Sequence, residues 1–170
     1  VKITGRIAHA PRLRAPVTGK VCAAYSTRID EWRYGLALRL VEQVSPEPLV
    51  VQDSSGLALV FPTRVRFGFA RRDDRAFHGY MDQAPLAIAR FLHGYGIDPR
   101  DEHGLYRPFG FHERLLFEGD LVTVFGMASW DAPRRGFSEE SGYRSAPLQL
   151  VVAAPAGGPL LMSDDPRTFD

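Results

Sequence analysis

The chain has 170 residues, 45% of them hydrophobic and 24% charged, which is enough apolar material for one domain's core and too much for wholesale disorder. Its formal charge of +1 excludes a whole-chain field that draws it onto nucleic acid or an anionic membrane. Cys22 is the only cysteine, which excludes an internal disulfide, a thiolate zinc cage and a CxxC redox pair. All but Lys2 and Lys20 of the 21 basic residues are arginine. They are scattered from Arg6 to Arg167, so the bias reads as a GC-rich, bacterial coding sequence rather than as a binding device.

Glycine and proline recur at short intervals, and β-rich runs lie between them, the rhythm of a sandwich or small barrel. Ile3 to Ala8 is the first predicted strand. Lys20 to Ile29 is the second, with Val21, Ala23, Tyr25, Thr27 and Ile29 on one face by period-two alternation. Tyr34 to Val44 continues the sheet. Leu49 to Gln52 and Leu57 to Phe61 flank Asp53-Ser54-Ser55-Gly56, a turn in which Asp bonds nearby backbone and Gly takes positive φ. Arg64 to Phe69 alternates arginine with Val65, Phe67 and Phe69 and reads as a half-buried strand.

The one predicted helix spans 83–95, capped by Asp82, with Pro85 in its first turn and Gly94 or Gly96 as its stop. Ile88, Phe91, Leu92 and Tyr95 share one helical face. Ile97 to Gly110 reads as a long connection. Leu115 to Phe117 and Leu121 to Gly126 flank the tight turn Glu118-Gly119-Asp120. Ser129 to Pro147 reads as a mobile surface insertion, and Leu148 to Ala153 pairs with Pro159 to Met162 as a last hairpin. With no internal repeat or linker, residues 1–170 are expected to form a single domain. The expected class is mainly β: a closed or nearly closed, OB-like barrel, or a sandwich, with one helix near 83–95.

Four segments, in order, resemble the GIDE domain, also called the beside-a-membrane domain, of Mulan-type membrane-anchored ubiquitin ligases. Leu13-Arg14-Ala15-Pro16-Val17-Thr18-Gly19-Lys20-Val21-Cys22-Ala23-Ala24-Tyr25 is similar to the family's Leu-x-x-Pro-x-x-Gly-x-x-Cys-x-x-Tyr opening. Val51 to Pro62 resembles its Asp-x-x-Gly hairpin. Glu113 to Gly126, preceded by the helix with Phe91 and Leu92, is the fullest match, and Pro159 to Asp164 is similar to the closing strand with its serine. The resemblance implies a non-enzymatic, extramembrane, protein-interaction or ligand-binding module of a membrane-anchored protein. It does not imply ligase activity, because those ligases carry a zinc-binding RING and this chain has one cysteine. No apolar run approaches the roughly 20 residues that cross a bilayer. The expectation is therefore a soluble domain near a membrane, an excised piece whose flanks could have carried membrane segments.

Candidate sites are few. Cys22 sits among Val21, Ala23 and Ala24 and reads as a small buried hydrophobe rather than a nucleophile. The five histidines show no HxH, HxxxH or HExxH spacing, there is no GxSxG elbow, and no phosphate-cradling glycine loop is present, so no metal, cofactor or catalytic group is expected. His112-Glu113-Arg114, placed just before a strand, is the one polar cluster, with a structural job favoured over a binding one. For a partner protein the expected contact surface is Arg71 to Met81 and Ser129 to Tyr143, where Phe77, Tyr80, Trp130, Phe137 and Tyr143 mix with charge. The competing reading is an OB-like domain that binds single-stranded nucleic acid through Phe67, Phe69, Arg64 and Arg66. Alternation puts those phenylalanines and arginines on opposite faces, which disfavours it, and no nucleic-acid partner is expected.

Overall fold

The computed structural model describes residues 1–45, 47–68, 77–80, 86–131, 149–165 and 167, with 77–80 described by their backbone. The described residues form fourteen β-strands and one α-helix, as expected of a mainly β chain. They pack as two compact units. One comprises Val1–Pro11, Pro46–Ala70 and Phe117–Asp170, and the other Arg12–Ser45 and Arg71–Leu116.

The first unit holds an eight-stranded sheet. Its strands are β1 (Lys2–His9), β6 (Leu49–Asp53), β7 (Gly56–Val60), β8 (Val65–Gly68), β11 (Leu121–Phe125), β12 (Met127–Asp131), β13 (Gln149–Ala153) and β14 (Leu160–Ser163). They lie in the order β12-β13-β7-β6-β1-β11-β14-β8, with β13–β7 and β14–β8 parallel and the other pairs antiparallel. β6 and β7 are apolar without alternation because Leu49, Val50, Val51, Ala58, Leu59 and Val60 are all buried, so both faces of these central strands are covered. A side chain at Gly5 would collide with the backbone carbonyl of Gln52, which is how β1 and β6 approach so closely there.

Among the described strands β12 and β8 are the edges of the sheet, and the mainly β, sandwich-like class holds. One expectation is corrected in this unit. Leu148 to Ala153 and Pro159 to Met162 were expected to pair as a hairpin, yet β13 and β14 lie on different neighbours. Their apolar runs are satisfied by non-local, partly parallel ladders, which short-range turn signals do not encode. The 53–56 turn is as predicted. Asp53 Oδ1 accepts from the amides of Ser55 (2.7 Å) and Gly56 (3.1 Å), and β6 and β7 pair across it.

The second unit holds a four-stranded sheet in the order β5-β4-β10-β9. It is built from β4 (Ala24–Arg33), β5 (Leu36–Val44), β9 (Phe77–Tyr80) and β10 (Pro108–Leu116). A short ladder of β2 (Leu13–Arg14) with β3 (Val21–Cys22) accompanies it. Strand structure is interrupted at Ala23, whose N–H donates to Leu116 O, so the predicted run from Lys20 to Ile29 becomes two strands and Val21 is exposed. From Tyr25 onward the predicted alternation holds, with Tyr25, Thr27 and Ile29 buried. The stretch read as a connection to Gly110 is strand from Pro108 onward, a prolyl start that sequence punctuation reads as loop.

Helix α1 (Leu86–Gly94) lays Ile88 and Leu92 against Ile29, Val41, Phe109 and Phe111 of the sheet. Its end is a Schellman cap. The Gly96 N–H bonds His93 O, the Ile97 N–H bonds Leu92 O, and Gly96 takes the left-handed φ of 65° that glycine tolerates. Ile97 then packs on the same core. The predicted start, with Asp82 and Pro85, lies outside the described residues.

Candidate functional site

Glu113 sits in mid-strand on β10, not ahead of a strand as expected, and its side chain is buried. Pairing places it opposite Thr27, and its carboxylate accepts three hydrogen bonds: Val17 N (2.8 Å) and Thr18 N (2.8 Å) from the Pro16–Gly19 turn, and Thr27 Oγ1 (3.0 Å). These donors fix the β2–β3 segment to the sheet. His112 and Arg114 pair opposite Arg28 and Ser26, so the pleat sends them to the other face. There His112 Nε2 lies 3.6 Å from Asp30, which also pairs with Arg28 at 2.8 Å. The expected three-residue cluster is thus divided between two faces and forms no common site.

Beside Glu113, Cys22, Tyr25 and Ala15 make a small buried cluster closed by Leu13 and Leu115. Burial, then the charge of Glu113, pushes the Cys22 thiol up to about 11. Near neutral pH the thiolate fraction falls by roughly 100-fold relative to an ordinary cysteine. An aromatic disulfide reagent is therefore expected to label native protein at least about 100-fold more slowly than urea-unfolded protein; equal rates would show an accessible, activated thiol.

An open groove of about 910 Å³ lies in the same unit, lined by residues of the β4–β5 turn and of the 98–107 loop. Its anchor is Glu31, almost fully buried. Arg107 grips it through two bonds, Nε to Oε1 (2.8 Å) and Nη2 to Oε2 (2.6 Å), and Arg33 Nε lies 2.8 Å away. Hydrogen bonding from Arg107 holds the Glu31 carboxyl below the usual carboxylate range despite its burial, and Arg33 adds to this. Arg107 also donates to Asp98 O and lies over the Phe109 ring.

The loop is tightly self-bonded. Asp98 accepts from Arg100 N, Asp101 Oδ1 accepts from the amides of His103 and Leu105, and Arg107 N reaches back to Pro99 O. Arg100 bonds the Tyr106 hydroxyl and lies over its ring. Such bonds fix the loop's backbone from within.

Exposed apolar side chains stand among the charged residues around this anchor. Tyr34 and Gly35 both take left-handed φ, 51° and 79°, and close a two-residue hairpin between Arg33 and Leu36. Tyr34 is fully exposed at its tip, and Trp32, Leu36, Leu38 and Leu105 are exposed nearby. Sequence reading missed this site because alternation along β5 looks like any half-buried strand; only the Tyr34-Gly35 pair signalled a hairpin tip.

Of the aromatics expected to contact a partner, Trp130 is 65% exposed on the edge strand β12 of the first unit. Phe77 and Tyr80 belong to β9 of the second unit by their backbone, while Phe137 and Tyr143 lie outside the described residues. The described parts of the two expected loops, 77–80 and 129–131, are strand rather than irregular chain, and they lie in different units. Among the described residues no group of three or more His, Cys, Asp or Glu could hold a metal ion, and no helix is long and apolar enough to cross a membrane. No family model, curated protein or solved structure matches the chain.

Proposed function

We propose that the chain is a non-enzymatic protein-interaction module of the GIDE type, the extramembrane part of a membrane-anchored protein, and that it meets its partner with the β4–β5 hairpin tip and the 98–107 loop. The observation that carries this reading is that Trp32, Tyr34 and Leu105 are exposed at a groove whose central charge, Glu31, is already neutralised, with Leu36 exposed next to the hairpin tip. Exposed aromatics grouped on ordered elements are the material of interface hot spots. A general base, by contrast, needs a carboxylate free to take a proton near neutral pH, and two arginines hold Glu31 ionised.

Two further observations support the family reading. The Pro16–Gly19 turn, Cys22 and Tyr25 of the opening motif all gather at Glu113, which gives that motif a structural reason. In the first unit, the ladder from β1 through β6, β7 and β13 returns to β12, which continues β11 across Gly126. That path supports a nearly closed, OB-like arrangement. The nucleic-acid reading gains nothing comparable: in β8, Arg66 is exposed and Phe67 only half-buried on the opposite side.

The test is a photo-crosslinking residue at Tyr34, with one at Ser55 in the other unit as control. A discrete crosslinked polypeptide from position 34 alone is the expected result, and the same diffuse background from both positions would overturn the reading.

A further inference from the structure

β5 is the outermost strand of its sheet, and no described strand pairs with its outer side. An exposed strand edge is a template for another strand, which proteins blunt with lysine, proline or short length. β5 has none of these; it is nine residues long and exposes Leu36, Leu38 and Leu40 at 67%, 45% and 37%. It does carry a bulge, since Ile29 faces Val41 but Asp30 faces Arg39, leaving Leu40 as the extra residue.

The bulge decides which backbone groups point outward. Across a two-residue hairpin turn the closing pair, Arg33 with Leu36, is the hydrogen-bonded kind, so Leu36 and Leu38 turn their amides toward β4 and Ala37 and Arg39 turn theirs away. Beyond the bulge the parity reverses. The amide of Ser45 donates to Tyr25 O at 3.0 Å, so Val41, Gln43 and Ser45 face β4, and Glu42 and Val44 face outward. The outward set is Ala37, Arg39, Glu42 and Val44, symmetric about the Leu40–Val41 bond. Arg39 and Glu42 also share one face, as their 2.8 Å ion pair within the strand shows, and their side chains are about half exposed.

We propose that this edge pairs, antiparallel and about a two-fold axis at Leu40–Val41, with β5 of a second copy of the chain. Ala37 then lies opposite Val44 of the copy, Arg39 opposite its Glu42, and each contact occurs twice. The two bulges face each other at the axis, so the feature that blocks a straight foreign strand fits its own copy. Charge complementarity selects this occupant, because the register sets Arg39 of each copy opposite Glu42 of the other, so the intrastrand ion pair of each copy is exchanged for one that bridges the copies. The proposal rests on the interaction-module reading and names one partner for it.

Charge exchange tests it in the whole chain. The wild type is expected to dimerise reversibly with concentration by sedimentation equilibrium. Arg39→Glu or Glu42→Arg alone places like charges opposite each other and weakens the dimer by about tenfold, while an equimolar mixture of the two variants regains it as a heterodimer. Amide exchange on the wild type needs no variant: protection at Arg39 and Glu42 should rise with protein concentration. A monomer at all concentrations, a dimer indifferent to both reversals, or a mixture no tighter than its components would each overturn the pairing. Those outcomes leave a crosslink from Tyr34 to another polypeptide intact, so failure here is distinguishable from failure of the module reading.

Discussion

Replacing Glu113 with alanine is expected to lower the melting temperature by about 10 °C. Two backbone amides, Val17 and Thr18, and the Thr27 hydroxyl lose their common acceptor, and Glu113 itself is only 1% exposed, so water does not replace it at Thr27 without rearrangement. Unsatisfied buried donors cost about 1–3 kcal/mol each, and a total near 3 kcal/mol corresponds to about 10 °C for a chain of this size. Glu113→Gln keeps an acceptor oxygen but presents an NH₂ to one donor group, so its loss should be smaller. Thermal unfolding followed by circular dichroism measures both. A Glu113→Ala variant that melts like the wild type would mean that the carboxylate is held for a ligand rather than for the fold.

Arg107→Met is expected to cost about 3 kcal/mol at neutral pH, because removing one partner of a buried ion pair leaves an uncompensated charge. Arg33, more than half exposed, is then the one cation left at Glu31. The pH dependence carries the diagnosis. The folded-state pKa of Glu31 is depressed, first by the Arg107 hydrogen bonds, so its stabilising contribution is fully present above the unfolded carboxylate value of about 4.3 and is lost as pH falls through the lower folded value. Wild type should therefore lose stability in that acidic window while Arg107→Met does not, and the two should converge below it. Urea unfolding between neutral pH and about pH 3 measures the gap. A gap that stays constant with pH would show that Arg107 acts through packing on Phe109 instead.

The elements that were legible in the sequence are those set by local chemistry. Asp53 and Gly56 announced their hairpin, Ile88 and Leu92 announced the buried face of α1, and Gly96 was one of two glycines expected to end it. The alternation of Tyr25, Thr27 and Ile29 gave the face of β4 correctly. Pairing partners were not legible. β13 and β14 find distant, parallel neighbours in β7 and β8, and no turn residue records that.

The candidate site was hidden for a related reason. Alternation tells which side chains share a face, not whether the face is covered. His112-Glu113-Arg114 looked like one cluster because adjacency was read without the pleat, which buries Glu113 and turns its neighbours away. Leu36 and Leu38 fall in a run expected only to continue the sheet, and they are exposed beside a hairpin tip. The Glu31–Arg107 pair joins residues far apart in sequence across the β4–β10 ladder, where Glu31 opposes Phe109. No spacing rule could have joined them.

Crosslinking from position 34 decides whether the hairpin tip and the 98–107 loop are a contact surface and not part of the core. Leu36 is exposed, so Leu36→Asp should change stability by no more than about 0.5 kcal/mol. A contact surface there gives a discrete crosslink from position 34 in the otherwise wild-type chain, and its loss when Leu36→Asp is added at unchanged melting temperature. A crosslink that survives Leu36→Asp, or a variant that loses the crosslink only because it unfolds, would contradict it.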